Sequence, residues 1–89
     1  MNIKFAKKFE KQFNRASKDI QKAFHKRLDI FISDPFHSQL HNHQLTGKYK
    51  GYRSINITGD WRAIYCEIKD SDGVIIIFEV LGTHSQLYR

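Results

Sequence analysis

A chain of 89 residues makes one domain with a modest core and leaves no room for a second. Its fifteen Lys and Arg against nine Asp and Glu give a formal net charge of +6. Solvated lysines on helix faces absorb part of that excess; the rest points to a polyanionic partner, nucleic acid first and an acidic protein next. One cysteine, Cys66, excludes a disulfide framework and a thiolate metal site within the chain, so a reducing, cytoplasmic setting is the expectation.

The N-terminal stretch "MNIKFAKKFEKQF" is charged throughout, so neither a signal peptide nor a membrane span is expected. "NIKFA" reads as a short strand, after which Phe5, Phe9 and Phe13 recur at every fourth residue, as one face of a short helix does. Ser17 is suited to cap a second helix, with Asp19 in its first turn and an apolar face of Ile20, Phe24, Leu28, Phe31 and Ile32. Asp34 and Pro35 stop it. From Phe36 to Lys50 the chain is polar and His-rich without regular periodicity, which predicts an exposed loop.

Three strands follow, "GYRSINI", "DWRAIYCEI" and "GVIIIFEVLG", joined by turn-like "TG" and "KDSDG". The layout is α+β: a mostly antiparallel four-stranded sheet with an N-terminal helical hairpin packed on one face. With Thr58 and Gly59 as the two central turn residues, Ile57 would pair with Asp60 and Ile55 with Arg62. That register puts Arg53 and Arg62 on one face and Trp61, Ala63 and Tyr65 on the other. Both alternating sets are apolar enough for a sheet covered on both sides.

No phosphate-cradling, dinucleotide-binding or nucleophile-elbow string occurs, and Cys66 reads as core. "HSQLHNH" offers His37, His41 and His43 to a metal, but in a loop without cysteine, so no metal site and no cofactor is expected. His25 falls on the polar side of its helix. What remains is a basic and aromatic set: His43, Lys48, Tyr49, Lys50, Arg53, Arg62, His84, Tyr88 and Arg89. Arg and Lys grip phosphates, aromatic rings stack on unpaired bases, and His moves protons near neutral pH. Such a set suits RNA.

"HQLTGKYKGYRSINITGDWRAIYCEI" followed by "FEVLGTHSQLY" resembles the RelE/ParE toxin superfamily, and within it the YafQ-like ribosome-dependent mRNA interferases. The likeness in layout spans the chain, and its specific strings run from His43 to Tyr88. It implies functional residues at His43, Asp60, His84 and Tyr88, a catalytic Arg at Arg62, and RNA contacts from Lys48 and Lys50. One position departs: the YafQ pattern has His where this chain has Asn56, and Asn can hydrogen-bond a phosphate or ribose but cannot act as a base near neutral pH.

The function so implied is a type II toxin that cleaves mRNA in the ribosomal decoding site by metal-independent attack of the substrate 2′-OH. His84 would act as acid, Arg62 and Arg53 as charge stabilisers, Tyr88 as orienting or stacking group, and His43 with Asp60 as base or supports. Lys48, Lys50, Arg53, Asn56 and Arg89 would bind RNA. An acidic antitoxin is the expected protein partner, and no membrane is involved. Two alternatives stay open: a ParE-like topoisomerase poison without nuclease activity, and a silent member that only binds its antitoxin.

Overall fold

The structure, a computed structural model, describes residues 1–88. Strand β1 (Asn2–Phe5) leads into helices α1 (Lys7–Arg15) and α2 (Lys18–Ser33). Strands β2 (His43–Gln44), β3 (Arg53–Asn56), β4 (Trp61–Asp70) and β5 (Gly73–Thr83) follow, then a single helical turn, α3 (His84–Leu87). The sheet order is β1-β5-β4-β3-β2. Only β1–β5 is parallel; the helical hairpin carries the chain from β1 at one edge of the sheet to β2 at the other. Ser17 caps α2 as its sequence position predicts, its hydroxyl accepting from the Ile20 N–H at 3.3 Å.

The main core lies between the hairpin and one sheet face. Phe9, Phe24 and Phe31 are buried there against Ile55, Ala63, Tyr65, Ile76, Phe78 and Leu81. The Gln12 side chain ties α1 to β5 by accepting from the Leu81 N–H at 2.8 Å. The opposite sheet face carries a smaller cluster of Ile64, Val80 and Leu87, flanked by Leu45, Tyr49, Tyr52 and Tyr88. Apolar residues on both alternating sets of β4 thus have cover on both sides.

The structure corrects several sequence expectations about the fold. The sheet has five strands, because His43 and Gln44 inside the expected loop pair with Ser54 and Arg53. Nor is that loop wholly exposed, since Leu40, on a single 3-10 turn, is fully buried. Ile32 is 54% exposed, lying roughly 100° round the helix from Phe31 and so beyond the buried stripe. The β3–β4 turn holds three residues between its closing pair, Ile57 and Trp61, not two: the Thr58 hydroxyl accepts from the N–H groups of Asp60 and Trp61 at 3.3 and 3.1 Å, and the Ile57 N–H donates to the Trp61 carbonyl at 2.9 Å.

That extra residue slips the register by one, and a one-residue slip exchanges faces. Asn56 pairs with Arg62, Ile55 with Ala63 and Arg53 with Tyr65. Arg53 and Arg62 therefore point to opposite faces, Arg53 to the helix side. Trp61, Ala63 and Tyr65 do share a face, as the sequence reading has it.

Candidate active site

The face away from the helices gathers the chemistry. Strand alternation sets Ser54 and Asn56 of β3 on that side, and their cross-strand partners bring His43, Ile64 and Arg62 beside them. Arg62 in turn sits opposite Gly82 of β5. A Cβ on Gly82 would lie 3.1 Å from both Leu87 Cδ2 and Gln86 Oε1, so the missing side chain is what lets α3 fold back onto the sheet. Thr83 and Gln86 close the first turn of α3 with a reciprocal capping box. Leu87 is buried beneath it.

This turn delivers His84 and Tyr88. The His84 main-chain N–H donates to the Asp60 carbonyl at 2.8 Å, fastening α3 to the β3–β4 connection. The ring centres of His84 and Tyr88 are 4.7 Å apart, and the Tyr88 hydroxyl donates to Ser54 Oγ at 3.0 Å. Ser54 is fully buried and faces His43 across the strands, so His84, Tyr88, Ser54 and His43 form a row. His43 Nδ1 is 2.8 Å from the His41 carbonyl. A carbonyl only accepts, so Nδ1 carries the proton and Nε2 of the neutral ring is left as an acceptor.

Arg62 is half-buried and folded over the β3–β4 connection. Its Nη1 donates to the carbonyls of Thr58 and Trp61, both at 3.0 Å, and Nη2 to that of Gly59 at 3.2 Å. Carbonyls orient the guanidinium without cancelling its charge. The only ion pair among the described residues is Lys69–Glu67, so Arg62, which pairs across the strands with Asn56, holds its full positive charge over the β3–β4 turn, and two of its N–H groups are left over. Asp60 is exposed, and its contact in the site is the main-chain carbonyl under His84.

Lys48 and Lys50 lie exposed around the adjoining 3-10 turn Gly47–Tyr49, with Lys48 Nζ 5.2 Å from the centre of the Tyr49 ring. Lys50 also lines a groove of about 690 Å³ with Gln44, Leu45, Thr46, Gly51, Tyr52, Arg53 and Glu67. Arg53 stands apart from the His84–His43 row, as its register requires: its Nε donates to Asn42 Oδ1 at 2.8 Å, and its guanidinium lies 5.1 Å from the Phe36 ring centre. Arg89 lies outside the described residues.

Cys66 is only partly buried, on the face of Ile64 and across from Ile77, rather than in the core. Burial, and then the Glu79 carboxylate, push its thiol above the ordinary value. The Tyr52 hydroxyl is raised too, first by Glu79. His25 is exposed on α2, where its ring meets Phe13 edge-on at 5.5 Å. Among the described residues no three His, Cys, Asp or Glu stand together as a metal-holding group. No helix there is long and apolar enough to cross a membrane.

Ser54, Asn42, Leu87 and Gly82 were not singled out by sequence reasoning. Their parts depend on partners distant in the chain, such as the 34-residue separation between Ser54 and Tyr88.

The same architecture recurs in known toxins. YafQ from E. coli strain BL21(DE3) is 25% identical, with a TM-score of 0.78 over 99% of this chain and 98% of the other. The E. coli DinJ–YafQ complex contains a chain 27% identical, TM-score 0.65, over 99% and 98%. The RelB–RelE antitoxin–toxin complex of Methanococcus jannaschii shares the fold at 21% identity and TM-score 0.69, over 96% and 94%. No curated protein matches the chain. The family model described as the bacterial toxin of type II toxin–antitoxin system, YafQ, matches residues 1–89. The chain belongs to the YafQ family, the toxin component of bacterial type II toxin–antitoxin systems.

Proposed function

We propose that this toxin is an endoribonuclease that cuts mRNA in the ribosomal decoding site, using the substrate's own 2′-OH as nucleophile. The observation that carries the reading is the row of His84, Tyr88, Ser54 and His43 on one sheet face beside the un-neutralised Arg62. Cleavage needs a base for the 2′-OH, a cation for the extra charge of the phosphorane-like transition state, and an acid for the departing 5′-oxygen. His43 offers a free Nε2 as base, and Asp60 supports His84 through the main-chain carbonyl that anchors α3. Arg62 supplies fixed positive charge with N–H groups to spare. His84 is the acid and Tyr88 its orienting neighbour.

Asn56, across from Arg62, has an amide suited to a ribose or phosphate oxygen. Lys48 and Lys50 are the sequence-independent grip on the RNA backbone. Arg53 is left out of the reacting set because it faces the helices. The protein partner is an acidic antitoxin, in keeping with the net charge of +6 and with E. coli YafQ being held by DinJ.

The test is to add purified toxin to a translating extract and map mRNA ends. Upstream fragments should end in a 2′,3′-cyclic phosphate and downstream ones should begin with 5′-OH. His84→Gln keeps hydrogen-bonding capacity but cannot titrate near pH 7, and should lose about a hundredfold to ten-thousandfold in rate. Fragments beginning with 5′-phosphate, or a fully active His84→Gln, would rule the mechanism out.

A further inference from the structure

We propose that Asn42 is a positioning residue for His43, acting from the far side of the sheet; the inference rests on His43 being the base of the proposed cleavage. Asn42 immediately precedes β2. Its Nδ2 donates to the Pro35 carbonyl at 2.8 Å and to the Tyr65 hydroxyl at 2.7 Å, while its Oδ1 accepts from Arg53 Nε at 2.8 Å. The amide orientation is forced, because the Pro35 carbonyl can only accept and the Arg53 Nε–H can only donate. Both N–H groups and the oxygen are thus engaged at once.

Those three partners come from three parts of the fold. Pro35 is the exit of α2, Arg53 opens β3, and Tyr65 is a buried residue of β4. One small amide pins the start of the two-residue strand β2 to all of them. Such a pin is needed: β2 is too short to hold its own register, and a slip would turn His43 to the other face. The neighbouring backbone is specialised as well. His41 adopts a left-handed conformation (φ 46°), uncommon for a non-glycine residue, and its carbonyl receives the His43 Nδ1–H. Asn42 fixes where the backbone goes, and the His41 carbonyl fixes which ring nitrogen of His43 is bare.

Arg53 acquires a role here that its charge alone conceals. With Nε on Asn42 and the Phe36 ring beside its guanidinium, it braces the pin. It is a structural ligand of the amide rather than a contact to the reacting phosphate.

The experiment compares wild type with Asn42→Ala and Tyr65→Phe; the latter keeps the packed ring and removes one acceptor of the amide. Two readouts are taken: the neutral tautomer of His43 by long-range proton–nitrogen NMR, and kcat and KM for cleavage on mRNA-programmed ribosomes. Wild type should show the Nδ1–H tautomer. Asn42→Ala should give a mixture of tautomers and a kcat lower by at least about tenfold with KM nearly unchanged, since a displacement of about 1 Å can cost about a hundredfold. Tyr65→Phe should move both readouts the same way but less. A wild-type tautomer and kcat in a folded Asn42→Ala would overturn the proposal, as would a Tyr65→Phe that is unchanged in both. If wild type cleaves no RNA the cleavage reading fails, yet the tautomer still decides whether Asn42 positions His43.

Discussion

Truncating Leu87 tests whether α3 is a docked turn whose placement sets activity. The side chain is only 4% exposed and closes the small cluster with Ile64 and Val80. In a rigid core, Leu→Ala costs about 2.7–5 kcal/mol. The other ties of α3 are the Tyr88–Ser54 and His84–Asp60 hydrogen bonds, each contributing about 0.5–1.5 kcal/mol net. A single turn has little stability of its own. Losing about 3 kcal/mol therefore outweighs either remaining tie, and Leu87→Ala should relieve the cavity by letting α3 lift off rather than by unfolding the domain.

With each 1.4 kcal/mol worth about a factor of ten, cleavage should fall by up to about a hundredfold. Amide exchange at residues 84–88 should accelerate, while Tm falls by only a few degrees. Had the whole cost fallen on the global transition, Tm would drop by about 12–24 °C, since a domain of this size loses about 4–8 °C per kcal/mol. A drop of that size with kcat preserved would refute the reasoning and make α3 an integral part of the core.

Arg62→Lys should lower cleavage by about a hundredfold with little change in Tm, because an ammonium cannot reach three carbonyls and still present N–H groups to a phosphate; wild-type rates in this variant would remove the charge-holding role. Replacing Lys48 and Lys50 together by Ala should weaken ribosome or RNA binding and flatten the slope of log affinity against log salt by about 1.4–1.8, as loss of two phosphate contacts requires; an unchanged slope in a binding titration counts against the loop. Alkylation of Cys66 should be slow at pH 7 and rise with a midpoint above that of an ordinary thiol, because burial and Glu79 favour the neutral form. Glu79→Gln should lower that midpoint, and rapid labelling at pH 7 would contradict it.

Local signals carried much of the fold. Phe9 and Phe13 at spacing four, a serine cap, and a proline stop are written within a few residues of where they act and place the hairpin, although Phe5, read with them as one helix face, belongs to β1. β1 was read as a short strand and three more were legible from alternation and turn composition, whereas β2 was not, since two residues cannot display a period. The β3–β4 register turned on whether the Thr58 hydroxyl folds back onto two main-chain N–H groups, a choice that composition leaves open. Through that one residue the sequence reading put Arg53 on the same face as Arg62.

The proposed site was legible by residue type and family pattern at His43, Arg62, His84 and Tyr88. Its supports were not. Ser54 and Asn42 are small polar residues whose meaning comes from contacts across 34 residues to Tyr88 and 23 to Tyr65. Gly82 is only the last residue of a strand in the sequence reading, and its purpose shows once α3 is seen lying over it.

The parallel pairing of β1 with β5 bears on when the toxin can become active during its own synthesis. β1 leaves the ribosome early, but its partners Ile75–Phe78 are made some seventy residues later. At about 5–20 residues per second, that is a wait of roughly 4–15 seconds. Closing so long a loop costs little extra free energy, yet the pairing cannot precede the last strand, and the phenylalanine face of the hairpin has no complete sheet to cover until then. The core and the row from His43 to Tyr88 thus come together within the same brief interval. An interrupted chain that stops before β5 carries every lysine of the basic loop but neither His84 nor the strand that α3 folds back on, so on the proposed mechanism aborted copies of this toxin should not cleave.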